Sequence, residues 1–202
     1  MILKEGEVLG FETDTVWGLG CLPNDESAVD KIYEIKGRDK SKPLILMSNA
    51  LENLMPYVLN VPDYAKTLVD KHFPGALTLI FEKSNLVPDF ITSGKNTVGI
   101  RVPNHLGFQK LCLGIANVLD GSVCCQAAYA EDFMQNGAVL ATTSLNYSNE
   151  PPVKDFDEAY EKFSGQITLI KPENPNHIGV SSTIVLCTSS TPVILRQGSV
   201  EI

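Results

Sequence analysis

Arginine is scarce in this 202-residue chain: of sixteen basic residues, only Arg38, Arg101 and Arg196 carry a guanidinium. Lysine takes every other basic position, as suits charges that serve solubility. Three isolated forks point either to sites where phosphate or carboxylate is held, or to three ordinary salt bridges. Cysteine pairs of metal or redox spacing are also lacking. Cys21, Cys112, Cys124, Cys125 and Cys187 are odd in number and form no C-x-x-C. Such cysteines are expected as small buried hydrophobes in a reducing, cytoplasmic compartment. His72, His105 and His177 lie too far apart to read as zinc ligands. No apolar run nears bilayer-spanning length, and Lys4, Glu5, Glu7 and Glu12 interrupt any signal-like N-terminus, so the chain reads as soluble. A formal net charge of -8 argues against a broad nucleic-acid face while leaving room for a small basic pocket.

The common nucleotide loops are missing too. "GLG" at 18–20 has Pro23 where a dinucleotide loop needs its third glycine. "SGKNT" at 93–97 has Asp89 in place of the first P-loop glycine. No Ser/His/Asp or Cys/His pairing is visible. Chemistry without such a nucleophile rests on cations and hydroxyls that position and neutralise a charged substrate, as in phosphoryl and nucleotidyl transfer.

What is present alternates. "GEVLGFE", "PLILMS", "FPGALTLIFE", "TVGIRV", "AVLATT" and "QITLIK" read as strands, and "SSTIVLCTSSTPVILRQG" as a hairpin-like pair. "TDTVWGLG" reads as turn-rich. Residues 26–36 place Ala28, Val29, Ile32 and Ile35 on one helical face, with Asn24 or Asp25 as N-cap. Further helices are expected near 49–58, 62–72, 105–118 and over "DFDEAYEKF". Several strands follow one another too closely for parallel crossovers. The fold class is therefore α/β with α+β-type ordering: a single domain over 1–202, with a twisted mixed parallel/antiparallel sheet flanked by helices. No repeat or linker marks a boundary.

Four stretches at element ends could meet a ligand. "TDT" at 13–15 offers hydroxyls and a carboxylate but equally makes an Asx turn. "KGR" at 36–38 ends a helix, where cations suit the dipole unaided. "TTSLN" at 142–146 reads as a turn after a strand. "VSSTIV" at 180–185 reads as an edge strand with hydroxyls facing solvent.

Together with "KGRDKSKPL", "FPGALTLIF", "VGIRVP" and "LRQG", these stretches resemble the YrdC/Sua5 family, the threonylcarbamoyl-AMP synthases. Members read P-T-D/E-T-V-Y-G-L-G, K-G-R-P-x-x-K-P-L, W/F-P-G-P-L-T-L, V-x-V-R-x-P, T-S-A-N-x-S-G, x-S-T-V-V and L-R-x-G. The likeness runs from about residue 7 to 198, and all three arginines fall inside its motifs. The resemblance implies a YrdC-like fold in its short, single-domain form. It implies an enzyme that forms threonylcarbamoyl-adenylate and pyrophosphate from L-threonine, bicarbonate and ATP, with Mg2+ accompanying the nucleotide. The product would serve tRNA t6A37 modification through carbamoyltransferase partners, with direct tRNA binding weak or indirect. The family signature K-x-R…S-x-N falls on Lys36, Arg38, Ser144 and Asn146 as catalytic positions. Thr15, Arg101, Ser144 and Ser182 would hold threonine. Arg38, Lys42, Thr97, Asn146, Lys154 and Arg196 would hold ATP, with Lys36 adding charge near the phosphates. Two rivals follow: a carbamoyl-adenylate enzyme with another acceptor, and a non-catalytic RNA-binding module. Glu12, Trp17, Leu145 and Asn149 depart from the pattern, Asn149 replacing a glycine. Residues 120–137 look like an insertion.

Overall fold

The computed structural model describes residues 3–116 and 137–202, so the expected insertion at 120–137 lies outside the described residues except for Gly137. Ten strands among the described residues form one sheet. They are β1 (Leu9–Phe11), β2 (Gly18–Cys21), β3 (Ile45–Met47), β4 (Val58–Leu59), β5 (Leu77–Lys83), β6 (Thr97–Arg101), β7 (Leu140–Ser144), β8 (Thr168–Leu169), β9 (Thr183–Leu186) and β10 (Val193–Arg196). Their spatial order is β10-β9-β5-β6-β3-β7-β2-β1-β8, with β4 paired to one end of β5. Parallel pairs (β3–β6, β5–β9, β1–β8) are interspersed among antiparallel ones, which is the mixed sheet expected. The α-helices among the described residues are α1 (Glu26–Lys36), α2 (Asp63–His72), α3 (Asp89–Thr92), α4 (Leu106–Ala116) and α5 (Phe156–Phe163). Asp25 caps α1 by accepting from the Ala28 N–H at 2.9 Å, and Gly37 ends it at φ 56°.

Strand alternation splits the sheet into two faces. Leu19, Leu46, Leu79, Ile100, Ala141 and Val185 join Ile32 of α1, Ala65 of α2 and Phe163 of α5 in one cluster. Leu9, Phe11, Met47 and Leu140 turn the other way and pack on Phe108, Cys112 and Ile115 of α4. Helix α4 covers only part of that second face.

Three expectations need correction. "GLG" is not a turn but β2. Gly18 and Gly20 occupy the face covered by Phe11, whose Cε2 would lie 2.6 Å from a Cβ at Gly18. Residues 49–58 are not an α-helix: a 3-10 turn, Met55–Tyr57, leads into β4. Pro56 removes a helical donor there, and Asn53 spends its Nδ2 on Ser48 Oγ at 2.9 Å. "SSTIV" is not an edge strand, because β10 pairs outside β9. Ser182 and Thr183 are buried, with Ser182 Oγ 2.8 Å from Thr78 Oγ1 and Thr183 Oγ1 donating to Val200 O at 2.6 Å. The short α3 is an element that periodicity did not reveal.

Candidate active site

The uncovered part of the second face is a cavity of about 530 Å³, a size suited to a small-molecule ligand. Its floor comes from residues two apart on three strands, Ile45 and Met47, Thr78 and Ile80, and Thr142 and Ser144, together with Ser182 just before β9 and Ile184 within it. Between them, β6 presents Gly99, where a Cβ would meet Ile45 Cγ2 at 2.8 Å. The missing side chain keeps the hollow open. Arg38, Lys42, Lys95, Arg101 and Arg196 bring five cations to the wall, and no aspartate or glutamate joins them.

Each arginine is braced. Arg101, at the end of β6, is 2 % exposed. Its Nε donates to Gly75 O at 2.9 Å, Nη1 to Thr15 Oγ1 at 2.7 Å and Nη2 to Asp14 Oδ1 at 2.5 Å. Three of its five N–H groups are thereby used and two remain for a ligand. Arg38 leans on the Lys42 and Pro43 carbonyls at 3.3 and 3.2 Å. Arg196 holds Ser182 O through Nη2 at 2.7 Å. Burial pushes all three guanidiniums below their usual range, Asp14 partly restoring Arg101. An anion in the cavity would relieve that penalty.

Lys36 is placed differently. It is 2 % exposed at the last turn of α1 and is not among the cavity-lining residues. Its ammonium donates to Ser144 O, and to Asn146 O and Oδ1 at 2.9 Å each. Asn146 Oδ1 also accepts from Ser144 Oγ at 2.6 Å, while its Nδ2 donates to Tyr147 O and Glu150 O at 2.8 Å. Both amide donors of Asn146 are thus spent within the loop and both acceptor positions on Lys36 and Ser144. Burial first, and the Arg38 charge second, bring the Lys36 ammonium down to about 7. Asn149 adopts φ 69° in the same loop, the left-handed backbone expected at this glycine-like position.

Of the residues singled out from sequence, Thr15, Arg38, Lys42, Arg101, Ser144, Ser182 and Arg196 line the cavity together. Lys36 and Asn146 sit behind it. Thr97 opens β6 opposite Glu82 and does not line it. Lys154 lies just before α5 with an exposed side chain, also outside the lining. Sequence reasoning passed over Lys95 and Thr78. Lys95 belongs to "SGKNT", dismissed with its failed P-loop. Thr78 was legible as the residue two before Ile80 in a strand already recognised.

The Sua5/YciO/YrdC family model, described as "Telomere recombination", matches residues 1–198. The chain belongs to this family. It is 32 % identical over 99 % of its length to the Pyrococcus abyssi protein named threonylcarbamoyl-AMP synthase, covering 53 % of that protein. It is 34 % identical over 98 % of its length to the Bacillus subtilis protein of the same name, covering 52 % of it. The chain spans about half the length of these curated relatives. A crystal structure of P. abyssi Sua5 complexed with L-threonine matches 96 % of this chain and 51 % of that one, at TM-score 0.79 and 34 % identity. In this family member the ordered motifs quoted above converge on the cavity: "TDT", "KGR", "VGIRVP", "TTS", "VSST" and "LRQG" all contribute lining residues.

Proposed function

We propose that the chain is a threonylcarbamoyl-AMP synthase, condensing L-threonine, bicarbonate and ATP to threonylcarbamoyl-adenylate and pyrophosphate. The observation that carries this reading is five cations and no carboxylate lining one hydroxyl-rich hollow in a chain of net charge -8. The names of the family relatives support it.

In this reading the Thr15–Arg101–Ser182 end of the cavity receives threonine. The two uncommitted Arg101 N–H groups would face its carboxylate. Arg38, Lys42, Lys95 and Arg196 would spread positive charge along the triphosphate. The threonine amine attacks bicarbonate and loses water, giving a carbamate. A carbamate oxygen then displaces pyrophosphate at the α-phosphorus, and the fixed cations favour the charge that builds on the leaving group. Such a reaction asks for orientation and charge stabilisation more than for a strong base. Lys36 and Asn146 act as positioning groups behind Ser144. Among the described residues no group of three His, Cys, Asp or Glu could hold a metal ion, and the wall carries no carboxylate. These residues do not fit a protein-held magnesium, so Mg2+ is assigned to the nucleotide substrate.

No helix among the described residues is long and apolar enough to cross a membrane. Cys21, Cys112 and Cys187 are free and buried, which supports a reducing, cytoplasmic setting. A tRNA-modifying carbamoyltransferase is the proposed consumer of the product. The test is pyrophosphate release from ATP, Mg2+ and bicarbonate, with and without L-threonine. Threonine-dependent release supports the proposal, and release with a different acceptor moves it to a related adenylate chemistry. Tight tRNA binding without release would replace it with an RNA-binding role.

A further inference from the structure

Glu12 is a buried carboxylate that the proposed reaction does not use. It follows β1, is 3 % exposed, and joins two histidines from distant parts of the chain. Its Oε1 is hydrogen-bonded to His177 Nδ1, and its Oε2 lies 3.4 Å from His105 Nε2. His105 Nδ1 accepts the Phe108 N–H at 3.2 Å at the start of α4. That bond uses His105 Nδ1 as an acceptor and leaves Nε2 as the ring nitrogen nearer the carboxylate. Oε2 has no hydrogen bond of its own, so the carboxylate contributes charge on one side and a directed bond on the other. A buried carboxylate held this way must be fixing something.

What it fixes is the segment from His177 to Ser182. Immediately after His177, the Ile178 N–H donates to Asp14 O at 3.1 Å and the Gly179 N–H to Thr15 O at 2.8 Å. Those are the residues whose side chains meet the Arg101 guanidinium. Ser181 and Ser182 then enter the cavity wall. The path from Glu12 to the cavity is therefore short: carboxylate, His177, two backbone bonds, and the Thr15–Arg101–Ser182 end.

We propose that Glu12 is a positioning residue. Its carboxylate clamps the His177–Ser182 segment onto Asp14 and Thr15 and so sets the shape of the amino-acid end of the cavity. This deepens the threonine assignment and rests on it. The clamp itself can be tested without any substrate, by hydrogen exchange at the Ile178 and Gly179 amides in Glu12→Ala, Glu12→Gln and His177→Ala. Loss of one charge-assisted bond corresponds to exchange faster by about tenfold or more in both alanine variants. Glu12→Gln keeps an acceptor for His177 and restores slow exchange. In the same variants KM for L-threonine rises about tenfold, with KM for ATP within about twofold and kcat little changed. Unchanged exchange at both amides in Glu12→Ala overturns the clamp. Faster exchange with both KM values rising together, or neither, overturns its link to the amino-acid end. Should the unaltered chain turn over no L-threonine, the substrate assignment fails, and the exchange comparison alone decides the clamp. If Glu12→Ala does not fold, His177→Ala, whose side chain is 17 % exposed, carries the same comparison.

Discussion

If the proposed nucleotide binds beside Arg38, its affinity is expected to depend on pH through Lys36. In the free protein its ammonium is held near 7 by burial and by Arg38, so above that pH most molecules carry a neutral amine. At pH 8 about a tenth remain charged. The arrangement around Lys36 is nevertheless built for the charged form: two backbone carbonyls and one amide oxygen accept from it, matching three ammonium protons. A triphosphate held by Arg38 offsets the Arg38 repulsion and favours the ammonium. The sign is therefore proton uptake on binding. Because bound ATP offsets only the Arg38 contribution, the smaller of the two, binding at pH 8 takes up a fraction of a proton per site, and affinity falls between pH 8 and 9. Calorimetric titration of ATP at pH 8 in buffers of low and high ionisation enthalpy reads the uptake directly as a slope. Lys36→Met removes the titrating group and flattens it. It also strips the donor from the Ser144 and Asn146 carbonyls, at about 1–3 kcal/mol each, so its melting temperature must be measured alongside. A zero slope in the unaltered protein, or an equal slope in Lys36→Met, would refute the reasoning.

Substitutions at three other positions test the frame around the cavity. A methyl at Gly198 falls on the Ser181 carbonyl oxygen and the Ser182 carbonyl carbon, with Thr183 N at 2.5 Å, all backbone that cannot swing aside. Gly198→Ala is expected to cost about 1–3 kcal/mol by thermal unfolding and to weaken binding at the proposed amino-acid end through the displaced Ser181–Thr183 segment. Arg101→Ala leaves Asp14 without its buried partner, for an expected loss of about 3–5 kcal/mol in urea unfolding. Arg101→Lys keeps the charge but loses the fork, so it should recover stability more than turnover. At Asn149, with φ 69°, glycine should be neutral or slightly stabilising and valine should cost about 1–2 kcal/mol in the same assay.

The sheet was legible where alternation or a fully apolar run coincided with length, as in "ALTLIFE" and "TVGIRV". β2 was not, because two of its four residues are glycines whose reason, the Phe11 ring, lies on another strand. The cavity was legible through its arginines, since scarcity marked them, and through the order of motifs. What sequence could not show is direction. Lys36 and Arg38 stand two apart at the end of one helix, yet the first turns inward to a loop and the second toward the cavity. Helix α1 ends between them at Gly37, Ser148 N bonds Lys36 O at 2.7 Å, and each side chain is held by its own tertiary partners. Asn146 was misleading for a related reason: its amide is consumed by Lys36, Ser144 and its own loop, so a residue inside a functional motif need not reach a ligand.

One face of one sheet is shared between a helix and a hollow, and the side chains decide the boundary. Where α4 packs, the face carries Leu9, Phe11 and Leu140. Beyond α4, the same face carries Thr78, Thr142 and Ser144. An apolar helix could not cover those hydroxyls without stranding them, whereas in the open cavity they find partners across the strands. Thr78 meets Ser182 at 2.8 Å, and Thr142 donates to Ile45 O at 3.3 Å. The cations around them are braced largely by carbonyls, which supply partial charge only. Asp14 on Arg101 is the one carboxylate among the hydrogen bonds that hold the three arginines. The three arginines are thus held in place without a ligand, while two Arg101 N–H groups and most of the positive charge are left for one. That combination fixes the geometry in advance and leaves the electrostatic gain to be realised only when a multiply charged anion enters.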